Sequence, residues 1–280
     1  MDHLNQTLKD AISSGSSMDE KEFLRIFNDE IDCDEHVDAF CEAIRGNNKA
    51  IIKLFLKAGV DPNGFSEECN ILPLGCAARH CDLETVKLLV AAGSDPNKGD
   101  DEGHDTPLMD ACWKGRYEIL KYLIEDADGI AELHDNDGET LLSAASCGGD
   151  LDTVRYLVET AGLDPKYRGE GYFRWLKNPL LTAFQCDDNG GIIDYLIDKV
   201  DINEIDADGK TILMLTVENP YIHNEDARIE IVKNILSKKP NMVLRDKSNN
   251  SAWHLCDGAK HPKLMKVLDD VYDDYPEALV

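Results

Sequence analysis

A period of about 34 residues constrains this chain more than any other feature of its sequence. Segments beginning at Asp38, Leu72, Thr106, Thr140, Asn178, Thr211 and Ser251 align at successive intervals of 34, 34, 34, 38, 33 and 40 residues. LPLGCAARHCDLETVKLLVAAGSDPN (72–97), TPLMDACWKGRYEILKYLIEDADG (106–129) and TLLSAASCGGDLDTVRYLVETAGLDP (140–165) share one plan. A short Ala-rich helix meets a glycine-containing or polar turn, and a second helix follows with apolar residues three and four apart. In the unit at Thr106, Leu108, Ala111 and Cys112 make a small apolar side, while Ile119, Leu120, Leu123 and Ile124 make a larger stripe. One helix pair cannot bury both stripes, so the units must stack in series to close a core. Thr106 is placed to cap its helix, with Pro107 at the first helical position, where its missing N–H costs nothing. Between units, DDEG (100–103), DNDG (135–138) and DADG (206–209) read as tips of projecting hairpins, each with a glycine suited to positive φ. The expected fold is an all-α solenoid of stacked antiparallel helix pairs with projecting hairpin loops.

The TPL start, the Ala-Ala pair, the DLETVKLLV second helix (82–90) and the Asp-Pro-Asn ending resemble ankyrin repeats over roughly residues 38–268. About seven repeats are expected, plus a degenerate N-terminal cap. The pattern also departs from the family. Its first-helix histidine is replaced by Gly75, Met109 and Ser143 and kept only at His254; the first unit lacks the TP start; the fifth has CDDNGG (186–191) at its helix turn. Residues 1–37 hold two short amphipathic segments, LNQTLKDAI (4–12) and KEFLRIFNDEI (21–31), readable as capping helices or as a separate interaction helix. Residues 269–280 form an acidic C-terminal extension in which the last helix frays. The resemblance implies binding of a protein partner through a concave groove and the hairpin loops, without catalysis. It also marks Asn63, Asn97 and Asn203 as positions that are hydroxylated in some ankyrin hairpins.

With 280 residues, 42 % of them hydrophobic, the chain can form one extended domain or two compact ones. It has no long apolar run, and the opening MDHLNQTLKD lacks a basic and an apolar region; a cytoplasmic protein off the membrane is expected, though export without an N-terminal mark stays open. Fifty-five acidic against 29 basic residues leave a net charge of −26, which argues against nucleic acid and anionic membranes as partners. The same charge suits a partner with a basic surface, and equally describes a well-solvated surface. Nine cysteines are scattered without a Cys-x-x-Cys pair, so buried, reduced thiols are expected.

Candidate contact residues fall in four places. Trp113 and Lys114 follow the small pair Ala111–Cys112 on the exposed side of a first helix, at positions equivalent to Arg79, His80 and Cys147. The 38-residue interval carries an enlarged hairpin, KYRGEGYFRWLK (166–177), whose Tyr167, Arg168, Tyr172, Phe173, Arg174, Trp175 and Lys177 form an aromatic and basic island. These are frequent hot-spot types, and the island reads either as a binding surface or as a cover folded back on the stack. The insertion ENPYIHNEDARIE (218–230), with Tyr221, Ile222 and His223, reads first as a structural loop. Asp100, Asp101, Glu102, Asp135, Asp137, Asp206 and Asp208 at the tips form either an acidic ridge or a set of ordinary solvated turns.

Chemistry finds little support. Cys76, His80 and Cys81, or His36 with Cys41, have spacings a metal uses, but no fourth ligand is near and no Cys-x-x-Cys is present. His254 and Cys256, two residues apart, would point to different faces of a helix. No cofactor, metal or enzymatic activity is expected. The sequence points to a monomeric scaffold or adaptor for a protein partner, with a host-interaction effector of an intracellular bacterium or virus, or an acidic chaperone or inhibitor of a basic protein, as alternatives.

Overall fold

The structure is a computed structural model that describes residues 6–29, 36–99, 105–135, 138–166, 178–183, 190–206, 208–218, 222 and 224–275. It divides into two compact units, one holding Met1–Leu163 and the other Phe173–Val280. In the first unit, α1 (Gln6–Ser14) precedes α2 (Glu20–Asp29), and four helix pairs follow: α3 (His36–Arg45) with α4 (Lys49–Ala58), α5 (Pro73–His80) with α6 (Leu83–Ala91), α7 (Pro107–Trp113) with α8 (Tyr117–Glu125), and α9 (Leu141–Gly148) with α10 (Leu151–Glu159). The second unit holds α11 (Pro179–Ala183) with α12 (Gly190–Ile197), α13 (Ile212–Glu218) with α14 (Glu225–Ser237), and α15 (Ala252–Leu255) with α16 (Pro262–Tyr272). Apart from α3, each first helix begins one residue after its repeat start.

Capping explains those starts. Thr106 Oγ1 accepts the Met109 N–H at 3.3 Å, Thr140 Oγ1 that of Ser143 at 3.1 Å and Thr211 Oγ1 that of Met214 at 3.4 Å. Asp82 and Asp150 cap the second helices α6 and α10 through the amides of Thr85 and Thr153. Leu72, where the unit lacks threonine, provides no side-chain cap. In the last unit His254 completes a capping box with Ser251, its Nδ1 lying 2.8 Å from the Ser251 hydroxyl.

First helices pack on first helices, α3 on α5, α5 on α7 and α7 on α9, and a second layer runs α2, α4 in contact and α6, α8, α10 in contact. Small side chains permit the inner row: Cys76, Ala77, Ala78, Ala111, Cys112, Ala144 and Ala145 are all fully buried. Backbones come closest at Gly148, where an added Cβ would stand 2.1 Å from the Cys112 carbonyl oxygen. The outer layer takes the bulk, with Val86, Leu89, Leu120, Leu123, Val154 and Leu157 fully buried.

The two N-terminal helices cover the first repeat. Phe23 meets Phe55 edge-on at 4.9 Å between centroids, and His36 stacks on Phe27 at 3.9 Å. Asn48 ties α1 down by donating to the carbonyls of Ala11 and Ser16 at 3.0 and 2.9 Å. In the second unit, the sequence gives no warning of Arg228, which is buried at 3 % exposure. Its guanidinium donates to the carbonyls of Val217 and Ile222, closing the C-terminal end of α13 and holding the insertion, whose Ile222 is buried. Tyr221 and His223 lie outside the described residues.

Cys41, Cys76, Cys81, Cys112 and Cys256 are free and buried, and Cys69 is free and half-buried, where the sequence predicts buried, reduced thiols throughout. That expectation is corrected at Cys147, which is disulfide-bonded. Cys147 lies half-buried in the last turn of α9, at the register of Arg79 and Trp113.

Candidate partner-binding surface

Three first helices of the first unit end side by side, and their last residues carry the sequence candidates. Arg45 ends α3, Arg79 and His80 end α5, and Trp113 ends α7 with Lys114 as its C-cap. Trp113 is half-buried, whereas His80 and Lys114 are exposed. The row is rigidly founded, because the opposite faces of α5 and α7 are locked among their neighbours.

Arg79 has an internal task that the sequence did not reveal. Its Nε donates to Asp110, whose side chain is 2 % exposed, and its Nη2 reaches Asp105 at 3.2 Å. Asp110 lies on the core side of α7, at the register of Cys76, and its carboxylate occupies the space that a side chain on Gly75 would take. A glycine on one helix and an acid on the next therefore form a matched pair, with Arg79 supplying the countercharge. Arg116 adds a further link, donating from Nη2 to the Arg79 carbonyl at 3.3 Å.

Cations converge on His80. Removal of water from the ring and then the charges of Arg45, Lys114, Arg79 and Arg116 push the His80 imidazole below its ordinary value. Two of those cations are answered locally, Arg45 by Glu42 at 2.6 Å and Arg79 by Asp110 and Asp105. Lys114 and Arg116 have no carboxylate partner among the described residues.

The hairpin acids divide. Asp101 and Asp137 lie outside the described residues, as do Tyr172, Phe173, Arg174 and Trp175 of the enlarged hairpin. Asp135 is buried at 8 %, and its Oδ1 accepts the Glu139 amide at 2.6 Å. Asp206 and Asp246 do the same for Lys210 and Asn250, with Gly138, Gly209 and Asn249 at positive φ in the turns. These aspartates shape their hairpins from within.

The Asp-x-Asn endings also work structurally. Asn63 donates to the Gly93 carbonyl and accepts the Asp95 amide, each at 2.8 Å; Asn97 repeats this with Asp128 and Ile130 at 3.0 and 2.7 Å. In the second unit Asn203 accepts the Asn241 amide at 2.6 Å. Each asparagine thus stitches one repeat loop to the next.

Among the described residues, no group of three or more His, Cys, Asp or Glu side chains is arranged to hold a metal. Cys76 and Cys81 point instead at the carbonyls of Cys41 and Ile44 in the preceding repeat. Burial pushes both thiols up to about 12, so neither is a thiolate at neutral pH. His36 spends its Nε2 on the Phe27 carbonyl at 3.1 Å.

Helix pairs stacked through small first helices, with side chains presented from a fixed row, define a repeat scaffold of the recognition class. The family model for ankyrin repeats, in three copies, matches residues 40–132 and 74–169, and the chain belongs to the ankyrin-repeat family. No curated protein matches it by sequence. Among solved structures it is similar to the ankyrin repeat domain of Bcl-3, described as a unique member of the IkappaB protein family. The two are 19 % identical, with a TM-score of 0.58 over 83 % of this chain and 96 % of that one, a likeness of fold. The ankyrin fold is a non-catalytic scaffold, and its general role is to contact other proteins. No described helix is long and apolar enough to cross a membrane.

Proposed function

We propose that this chain holds a protein partner against the ends of its first helices, with Trp113 as the central contact and Arg79, His80 and Lys114 around it. The observation that carries this reading is Trp113 itself: a half-buried indole at the end of α7, on a helix whose other side is packed against α5 and α9. A large aromatic held in place loses little freedom when a partner covers it, which is why such residues dominate interface energies. Lys114 and His80, exposed beside it, supply polar contacts at the rim. The test is capture of partners from lysate by immobilised wild type and Trp113→Ala at near-physiological salt, with the fold of both checked by circular dichroism. Loss of a salt-resistant partner from the folded variant supports the reading; equal retention by both proteins overturns it.

A second reading is favoured by one number. The net charge of −26 suits a chaperone or inhibitor of a basic protein, approached through long-range attraction. Its partners would vanish from wild type and variant alike as salt rises.

A further inference from the structure

Around the ends of α5 and α7 two cations, Lys114 and Arg116, have no carboxylate partner among the described residues, in a protein that is otherwise strongly acidic. We infer that the surface formed by Arg45, His80, Lys114 and Arg116 receives an acidic, carboxylate-bearing segment of the partner protein. This deepens the reading above and rests on it, since the segment would lie beside Trp113.

The geometry makes the case in three steps. Arg45 and Arg79 stand 34 residues apart in register, as do His80 and Lys114, and the contacts of α3 with α5 and of α5 with α7 turn that spacing into adjacency. Arg116 is fixed over the row by its 3.3 Å bond to the Arg79 carbonyl. Of the carboxylates nearby, Glu42 is taken by Arg45, Asp105 and Asp110 by Arg79, Asp82 by Lys49 at 2.9 Å, and Asp150, which lies against Gly115, by the amide of Thr153 at 2.9 Å. That accounting leaves Lys114 and Arg116 as donors for an incoming acid, with the exposed imidazole between the helix ends as a third.

The overall negative charge does not forbid this. At physiological ionic strength charges are screened beyond about 8 Å, so a docked carboxylate senses the adjacent cations far more than acids elsewhere. The arginine fork also matches a carboxylate in two-point geometry. Docking would stabilise the imidazolium of His80, since a carboxylate beside it offsets the cations that now disfavour its protonation.

The experiment uses the full chain and two labelled probes of equal length, an oligoglutamate and an oligolysine peptide, with fluorescence anisotropy at about 0.15 M salt. Wild type is expected to bind oligoglutamate, with a loss of at least tenfold in Lys114→Glu/Arg116→Glu and in the milder Lys114→Met/Arg116→Met. The same charge change placed on second helices, Lys53→Glu/Lys121→Glu, should leave binding within twofold. In a parallel titration followed by the His80 ring signals in NMR, the pKa should rise when oligoglutamate is bound. No oligoglutamate binding, equal losses in the control variant, or a His80 titration unmoved by the peptide would each overturn the inference. A partner captured through Trp113 by a protein that ignores oligoglutamate would also overturn it, while leaving the scaffold reading intact. Binding of oligolysine alone would do so in favour of the basic-partner reading.

Discussion

Gly46, His80, Lys114 and Gly148 occupy one register position in four successive repeats, yet the position means different things in each. At Gly46 an added Cβ would sit 3.4 Å from its nearest neighbour, the Ile12 carbonyl oxygen, whereas at Gly148 it would be driven to 2.1 Å from the Cys112 carbonyl. Neither residue has positive φ, so the difference is one of space. Gly148→Ala is expected to cost about 2–3 kcal/mol because helix backbones must separate, while Gly46→Ala should be neutral or stabilise by up to about 1 kcal/mol through the unfolded chain. Urea denaturation of the two variants checks the contrast. Asp110 offers a second residue-scale case. Asp110→Ala removes the countercharge of Arg79 and empties the space over Gly75; about 2 kcal/mol is expected, less than for a fully buried pair because Arg79 stays 30 % exposed and can turn to water. Gly75→Ala should produce a comparable loss by pushing the same carboxylate out, and the two losses should not add.

At the scale of the elements, loops and caps bind one repeat to the next. Asn97 makes two hydrogen bonds across that junction, so Asn97→Ala should lose about 1–2 kcal/mol in the same assay, and Asn97→Asp, which cannot donate to the Asp128 carbonyl, should lose part of it. The α6 cap adds a dependence on pH. Lys49 first, then the Thr85 amide, hold the Asp82 carboxyl down to about 2, below its ordinary 3.8. A carboxyl lowered by folding binds fewer protons in the folded state, so its contribution is present above its unfolded value and fades as pH falls through the interval to about 2. Asp82→Asn should therefore flatten the stability profile over that acid interval while changing little of the cap itself. The side chain is 49 % exposed, and solvent keeps the effect small. His80 gives a slope of the same sign at higher pH: its imidazole is disfavoured as a cation in the fold, so stability should rise with pH up to its ordinary value of 6.5, and His80→Gln should remove that rise.

For the whole molecule, charge is the governing quantity. A net charge of −26 on 280 residues repels itself in the compact state, and most of the surface ion pairs, such as Lys57 with Glu20 and Lys263 with Asp226, are too exposed to offset it. Added salt screens the repulsion, so the thermal midpoint is expected to climb as sodium chloride rises from about 0.01 to 0.3 M, over which the screening length shrinks severalfold. A scanning calorimetry series checks this; a falling midpoint would mean that ion pairs outweigh repulsion. The helix pairs, their order and the Thr106 cap were legible in the chain alone. In a stack of this kind each unit's core is built from side chains near in sequence and from the same pattern one period away, so periodicity in the chain becomes adjacency in space. Which unrepeated side chains meet across that period is set by the packing of the folded chain. Asp110 finds Gly75 and Arg79, four cations surround His80, Cys147 is bonded, and Arg228 closes α13, because each depends on the distance between particular backbones and on partners that no repeat pattern encodes.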